Sequence, residues 1–201
     1  DIDTAIRKAE FTEENLINMI NEIISIDIDD NVKIKIEKTE PIRDEDEYGG
    51  LRITINFMLE NIKDKFHIDL ATGDPIYPGP DNYRYESLIG NEVYKVWSYN
   101  LETVLAEKIE TILSKLETSS RMKDYYDLYY FVTYKWNDID KATLEVAVDT
   151  TFKHRKSKKY LDKYNEIILN LSNDINLIER WNKYRKEHTY AKEVEFEDTI
   201  K

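Results

Sequence analysis

The chain has 201 residues, enough for one large domain or two small ones, and 29 Lys+Arg against 41 Asp+Glu give a net charge of −12. A hydrophobic fraction of 41% is sufficient for a packed core and excludes a wholly disordered chain. No run approaches the roughly 18 apolar residues needed to cross a bilayer, so we expect no membrane partner. The lack of cysteine excludes disulfides and thiolate metal sites, and the expected location is cytoplasmic.

The charge is distributed unevenly along the sequence. Residues 1–150 contain 17 Lys+Arg and 32 Asp+Glu, whereas residues 151–190 contain 10 and 5. The acidic total argues against a protein that simply coats nucleic acid. The basic segment could be a local site for phosphates, or only the solvated surface of a lysine-rich helix.

The first hundred residues mostly show the period-two alternation of β-strands. One strand is predicted at the N-terminus, and further strands are predicted at residues 31–42, 50–60, 65–71 and 92–99. A helix that begins near Thr12 interrupts them and runs to residue 24. Because the sequence starts with Asp1 rather than Met, and inside a predicted strand, we expect it to be part of a longer chain.

After residue 100 the periodicity changes to that of helices. Helices are predicted over residues 101–117 and 121–136, and two or three more are expected within 138–187. The sequence therefore predicts an α/β (α+β) fold with a mixed β-sheet and flanking helices in residues 1–100. We expect residues 101–190 to form a helical layer that packs on the sheet, and residues 191–201 to be a loose polar tail.

Three aspartates are candidate metal ligands. Asp1 and Asp3 occupy positions i and i+2 of a strand, so their carboxylates project from the same face, where they repel unless a cation lies between them. Asp69 lies in the middle of a strand and completes a cluster if that strand neighbours the first. Carboxylate oxygens suit Mg²⁺ or Mn²⁺. The alternative interpretation is a solvated strand end and a sheet face that is open to water.

Lys108 falls on the apolar stripe of its helix. A lysine in that position either extends its ammonium out of the core or offers it to an anion in a cleft. Glu107 and Glu110 lie on other faces of the helix and are expected to be exposed to solvent.

Asp124 shares a helical face with apolar residues, so it also points toward packed material. It could be a catalytic acid, or it could simply pair with Arg121 or Lys108. Lys123 and Asp127 form an i,i+4 pair that is adequately explained as surface support for the helix.

The order of five segments is more specific than any single residue: "DIDTAI", "YGGLRITI", "HIDLATGDPIYP", "YNLETVLAEKIETIL" and "SRMKDYYDLYYF". Over residues 1–134 this series resembles the AbiEii/AbiGii nucleotidyltransferase family, which includes toxins of abortive-infection and type IV toxin–antitoxin systems. The resemblance implies a polymerase-β-like fold and Mg²⁺-dependent transfer of a nucleoside monophosphate from a nucleoside triphosphate. It also implies a cognate antitoxin. Some relatives modify the acceptor end of tRNA, so an RNA acceptor is expected.

The resemblance also implies a role for each matching residue. Asp1 and Asp3 would be the paired metal ligands, and Asp69 the third ligand and the base for the acceptor hydroxyl. Lys108 would contact the triphosphate, with Asp124 as the essential acid and Arg121 and Lys123 as phosphate contacts. The family pattern includes a Gly-Gly/Ser turn and an Arg-containing helix upstream of its Asp-x-Asp, and neither is in this sequence.

Two other functions compete with transfer to RNA. One is transfer of the nucleotide to a protein, and the other is a catalytically inactive binding module. The segment 152–160 interleaves lysines with aromatic residues and so favours RNA. We expect two basic clusters to lie on the rim of the active site: Lys153, Arg155, Lys156, Lys158 and Lys159, and Arg180, Lys183, Arg185 and Lys186.

Overall fold

The structure is a computed structural model that describes residues 2–7, 9–42, 50–88, 90–116 and 121–200. The chain divides into two compact units, Asp1–Gly73 and Asp74–Lys201. The change from strands to helices near residue 100 therefore falls inside the second unit. Within the described residues, no helix is long and apolar enough to cross a membrane.

The first unit is a four-stranded mixed sheet with one helix. Its elements are β1 (Ile2–Ala5), α1 (Glu13–Ile24), β2 (Val32–Pro41), β3 (Gly50–Leu59) and β4 (Ile62–Ala71). The strand order is β1-β4-β3-β2, in which β1 is parallel to β4 and the other pairs are antiparallel. The predicted strands and the mixed sheet are confirmed. Thr12 caps α1 by accepting a hydrogen bond from the backbone N–H of Asn15 (3.3 Å).

One face of this sheet forms a hydrophobic core with α1. Ile53, Ile55 and Leu70 alternate with polar residues along β3 and β4 and are buried. Leu16 and Ile20, four residues apart on α1, pack against them. Because successive side chains of a strand point to opposite faces, the residues between these apolar positions lie on the other face of the sheet.

The second unit combines a β-hairpin with helices. Its elements are β5 (Asp81–Glu86), β6 (Val93–Ser98), α2 (Leu101–Lys115), α3 (Met122–Tyr134), α4 (Lys141–His154), α5 (Lys158–Leu161), α6 (Tyr164–Ser172) and α7 (Ile175–Glu187). Strand β5 was not predicted, because all of its residues are exposed and it follows a segment rich in Gly and Pro. Two or three helices were predicted after residue 138, but the described residues there form four, α4 to α7. The prediction missed the single-turn helix α5.

The prediction of a loose tail is also wrong. Ala191, Val194 and Phe196 are buried in the core of the second unit. They pack in the same cluster as Trp181 of α7, whose indole N–H donates a hydrogen bond to the carbonyl of Val194 (3.0 Å). A few apolar residues at suitable intervals therefore fix a segment that is polar in overall composition.

The start of α2, the helix of Lys108, is fixed by Asn100. Its side-chain oxygen accepts a hydrogen bond from the N–H of Thr103 (2.7 Å), which caps the helix. Its side-chain amide donates to the carbonyls of Tyr77 (2.7 Å) and Gly79 (3.0 Å). One buried side chain thus caps α2 and ties the preceding loop to it.

Arg155 joins α4 to α2 and to Asp74 through three carboxylates. It donates to Asp74 at 3.2 and 2.9 Å and to Glu110 at 2.8 Å, and it lies 3.7 Å from Glu107. Burial lowers the pKa of Arg155, but the hydrogen bonds that it donates to Asp74 and Glu110 raise the pKa above its ordinary value. The expectation that Glu107 and Glu110 are exposed is wrong, because the end of α4 covers this side of α2: the Glu110 side chain is only 6% exposed.

Replacing Arg155 with Met would leave these carboxylates enclosed without their cation. We expect this variant to lose about 3 kcal/mol of unfolding free energy, the lower end for a broken buried ion pair, as measured by urea denaturation. Arg84→Met is the matched control, since Arg84 is exposed on the hairpin, and it should change stability by less than about 0.5 kcal/mol. Equal stability of the two variants would contradict a structural role for Arg155.

Candidate functional site

Four charged residues form a row across the sheet of the first unit. Asp3 of β1 pairs in register with Asp69 of β4, Asp69 with Arg52 of β3, and Arg52 with Glu40 of β2. Residues that are paired across neighbouring strands project from the same face of a sheet. The row lies on the face opposite the α1 core, because Arg52 and Asp69 alternate with the buried Leu51, Ile53 and Leu70, and Asp3 and Glu40 are paired with them in register.

Arg52 makes a bidentate ion pair with Asp69. Its Nε donates to Oδ1 and its second amino group donates to Oδ2, both at 2.7 Å. The hydrogen bonds and charge of Arg52 outweigh the opposing effect of burial and hold the pKa of Asp69 below its ordinary value. Sequence reasoning overlooked Arg52. Its signal was a positive charge between Leu51 and Ile53 of a strand that could pair with the strand of Asp69.

The acidic residues of this row suit a divalent cation that is shared with a substrate. Asp3 and Asp69 lie on adjacent strands at the same level. Mg²⁺ is commonly bound by one or two carboxylates together with substrate phosphates. Asp1, the other predicted ligand, lies outside the described residues. In the described part of the chain there is no cluster of three or more acidic or histidine side chains that could hold a metal ion.

A second charged group lies between α2 and α3 of the second unit. The ammonium of Lys108 is 2.7 Å from a carboxylate oxygen of Asp124 and 2.7 Å from one of Asp127. The three side chains are only 18%, 13% and 17% exposed. We call these three residues the lysine cluster. Lys108 therefore does not extend to solvent, and Asp124 pairs with one of the two partners that the sequence suggests.

Asp127 belongs to this cluster although the sequence placed it in a surface pair. It does pair with Lys123 (2.8 Å), whose side chain is 69% exposed, but it also holds Lys108. Positions 124 and 127 are one helical turn apart, so both carboxylates can reach the same ammonium. Arg121 is exposed at the start of α3, and its carbonyl accepts the N–H of Asp124 (3.0 Å).

The lysine cluster holds the Lys108 ammonium between two carboxylates. Burial lowers the pKa of Lys108, but hydrogen bonds to Asp124 and Asp127 outweigh it and leave the pKa above its ordinary value. An ammonium has three N–H donors, and the two carboxylates account for two, so a phosphate oxygen could accept the third. That Lys108 and Asp124 face the same cleft as Asp3 and Asp69 stays a prediction.

The ion pair of Arg52 can be tested by titration of Asp69. In Arg52→Met the pKa of Asp69 should rise toward its ordinary value of about 3.9, because the stabilising cation is gone. The parent should then be stabilised by the pair above that pH and lose this contribution as the pH falls through the lower native pKa. Carboxyl-carbon NMR measures the pKa, and Arg84→Met is the control. An unchanged Asp69 pKa would show that Arg52 does not hold the carboxylate in solution.

The fold has a counterpart of low sequence identity among solved structures. It is similar to the crystal structure of JHP933 from Helicobacter pylori, with a TM-score of 0.51, 12% identity, and coverage of 98% of this chain and 69% of the other. A candidate nucleotidyltransferase from H. pylori matches with a TM-score of 0.48, 12% identity, and coverage of 98% and 71%. No curated protein matches the sequence.

The family of the chain follows from its sequence. Residues 1–201 match the family described as "Nucleotidyl transferase AbiEii toxin, Type IV TA system". The chain belongs to this family, as the order of its motifs predicts, and it is a nucleotidyltransferase. The family implies a nucleoside triphosphate as substrate and an antitoxin as partner.

Proposed function

We propose that the chain transfers a nucleoside monophosphate from a nucleoside triphosphate to a hydroxyl group of RNA, such as the acceptor end of tRNA, with Mg²⁺ or Mn²⁺. The hydroxyl oxygen forms a bond to the α-phosphate, the bond between the α- and β-phosphates breaks, and pyrophosphate leaves. The observation that carries this proposal is the register pairing of Asp3 with Asp69 in a chain of the nucleotidyltransferase family. This pairing supplies two adjacent carboxylates on an otherwise polar face of the sheet. Phosphoryl transfer needs such carboxylates to hold cations against the charge of the triphosphate.

Asp3 and Asp69, with Asp1, are the residues that would hold the metal. When bound, a divalent ion neutralises phosphate charge and polarises the phosphate that is attacked. Asp69 would accept the proton of the acceptor hydroxyl. Its low pKa while paired with Arg52 makes it a weak base, so this role requires the pair to open.

Arg52 is suited to opening this pair. Its side chain is 42% exposed, whereas that of Asp69 is 18% exposed, so the guanidinium can move without disturbing the core. Guanidinium groups bind phosphates in the same bidentate manner as carboxylates. An incoming triphosphate would take over the Arg52 hydrogen bonds, and the released Asp69 would then become more basic.

The lysine cluster would bind the triphosphate. Lys108 supplies the fixed positive charge, and Asp124 and Asp127 prevent the ammonium from moving. Positioned charges of this kind stabilise the transition state without the cost of reorganising at the moment of reaction. Lys123 and Arg121, exposed at the start of α3, would contact phosphates more peripherally.

The experiment is incubation of the protein with each labelled nucleoside triphosphate, total tRNA and Mg²⁺. Lys108→Met and Asp124→Asn should each lower transfer at least about 100-fold, because each removes or frees the positioned charge. Both variants should keep the circular dichroism spectrum of the parent.

Lys95→Met and Asp81→Asn are matched controls on the exposed hairpin and should transfer at the rate of the parent. Full activity in both lysine-cluster variants would contradict the catalytic roles. Label on a protein instead of tRNA would favour the protein acceptor, and no label in any reaction would favour the inactive binding module.

The basic segment supports an RNA acceptor only in part. Arg155 is enclosed by the carboxylates of Asp74, Glu107 and Glu110, so its guanidinium is not available for a contact with RNA. Lys153 and Lys158 both pair with Asp149, at 2.5 and 2.9 Å, but their side chains are 62% and 50% exposed. Exposed ion pairs contribute little stability, so a phosphate can replace Asp149. The placement of this cluster and of the α7 cluster on the rim of the active site stays a prediction.

Reversing Lys153, Lys156, Lys158 and Lys159 to Glu, with Arg155 kept, should weaken tRNA binding and flatten its salt dependence. The physical reason is that each lost phosphate contact no longer releases counterions. Filter binding at several salt concentrations measures the slope, and binding of nucleoside triphosphate should change little. The control reverses Lys33, Lys35, Lys63 and Lys65, four exposed lysines of the first unit. If the reversed protein modifies tRNA as fast as the parent at physiological salt, the segment is only a solvated surface.

A further inference from the structure

Helix α3 carries a row of tyrosines on its exposed side. Tyr126, Tyr130 and Tyr134 follow one another at intervals of four residues, so they share one face of the helix. The ring centroids of Tyr126 and Tyr130 are 6.4 Å apart with the rings stacked at 28°, and those of Tyr130 and Tyr134 are 5.3 Å apart. Tyr190 extends the row by packing on Tyr126 at 4.8 Å. We call these four residues the tyrosine stripe.

Three of the four rings of the tyrosine stripe are exposed to solvent and do not belong to the hydrophobic core. Tyr130, Tyr134 and Tyr190 are 38%, 63% and 52% exposed, whereas Tyr125 on another face of α3 is 1% exposed and packs in the core. Several large aromatic rings that touch each other and remain in solvent mark an interaction surface. Nucleobases stack on exposed tyrosine rings whatever their identity, and this is the usual way in which single strands are held.

The position of the stripe favours RNA over a protein partner. It starts at Tyr126, which precedes Asp127 of the lysine cluster in the sequence and points about 100° away from it around the helix, and it follows the helix for about 12 Å to Tyr134. This length accommodates about three or four bases at the 3.4 Å stacking distance. The stripe and two of the residues proposed to hold the triphosphate, Asp124 and Asp127, thus belong to the same helix.

Exposed lysines lie within three residues of members of the stripe in the sequence: Lys123 precedes Tyr126, Lys135 follows Tyr134 and Lys192 follows Tyr190. Lys123, Lys135 and Lys192 are 69%, 46% and 73% exposed. Their partners are carboxylates, at 2.8 Å for Lys123, 3.4 Å for Lys135 and 3.9 Å for Lys192. Such exposed pairs are weak and can be exchanged for phosphates. Aromatic faces bordered by exchangeable ammonium groups match the bases and backbone of a single strand.

We propose that the tyrosine stripe binds the single-stranded end of the acceptor RNA by base stacking and leads it along α3 to the lysine cluster. This inference rests on the proposed function, because it names the surface that would hold the acceptor. The bases contact the rings of Tyr130 and Tyr134, and the flanking lysines contact the phosphates. Sequence preference is weak, because stacking does not read base edges.

The experiment measures binding of a fluorescent single-stranded RNA, and of tRNA, to the full chain without nucleoside triphosphate. Tyr130→Ala and Tyr134→Ala should each raise the dissociation constant by roughly tenfold, and the double variant by more. Tyr130→Phe and Tyr134→Phe should bind like the parent, because they keep the ring. Tyr164→Ala is the matched control, since Tyr164 is 50% exposed on α6.

The result separates this inference from the proposed function. Parental RNA affinity in the double alanine variant, or an absence of RNA binding by the parent, would overturn the stripe as an RNA surface. Weakened binding of nucleoside triphosphate with unchanged RNA binding would also overturn it, because the rings would then hold the substrate base. If RNA binds through the stripe but no label is transferred to tRNA, the stripe stands and the proposed reaction fails.

Discussion

The parallel pairing of β1 with β4 determines what the first unit can do. It places Asp3 beside Asp69, and the antiparallel pairing of β4 with β3 places Arg52 beside Asp69. A slip of one residue in either register would move a whole set of side chains to the other face of the sheet. The buried Ile53 and Ile55 oppose a slip of β3 against β4, since it would expose them. The apolar core therefore fixes the pairing of Arg52 with Asp69 in the charged row, although no apolar side chain belongs to that row.

The solvent exposure of a cation decides whether its ion pair stabilises the fold or can be exchanged for a ligand, as three cations of the chain illustrate. Arg155 is enclosed by carboxylates, and its removal would leave them without a partner in a poorly solvated environment. Arg52 makes an equally short pair, but it lies partly in solvent, so water or phosphate can replace its partner. Lys108 is intermediate, because it is held by two carboxylates and retains donor capacity. Proximity to a carboxylate alone would not distinguish these cases.

The regular elements could be predicted from the sequence because their signals are local. Alternation predicts β2 and β3 and the period of 3.6 residues predicts α2 and α3, since each buries one face against a core. Strand β5 gives no such signal, because neither of its faces is buried. The C-terminal segment also gives a weak signal, because its few buried residues depend on Trp181, a residue outside the segment.

A residue of the candidate site could be predicted only where it is unusual within the periodic pattern of its own strand or helix. Asp69 and Lys108 are each unusual within their own strand or helix, and periodicity is sufficient to identify them. Arg52 and Asp127 are not unusual within their own strand and helix. Their role becomes visible only through an ion-pair partner on another element of the same unit. Glu110 is the clearest case, since its helical face predicts exposure until Arg155, 45 residues away, covers it. Pairing over such distances is decided by tertiary packing and not by local pattern.

Ion pairs within the basic segment reduce the positive charge that is available to the proposed RNA acceptor. Residues 151–190 carry 10 basic against 5 acidic residues, but Arg155 is enclosed and Lys153 and Lys158 share Asp149. The positive surface of this segment is therefore smaller than its composition indicates. Under the proposed function, counterions released at this segment would therefore contribute less to RNA binding than its ten basic residues suggest. Stacking on exposed aromatic rings does not depend on net charge, so it can supply the affinity that the lysines do not.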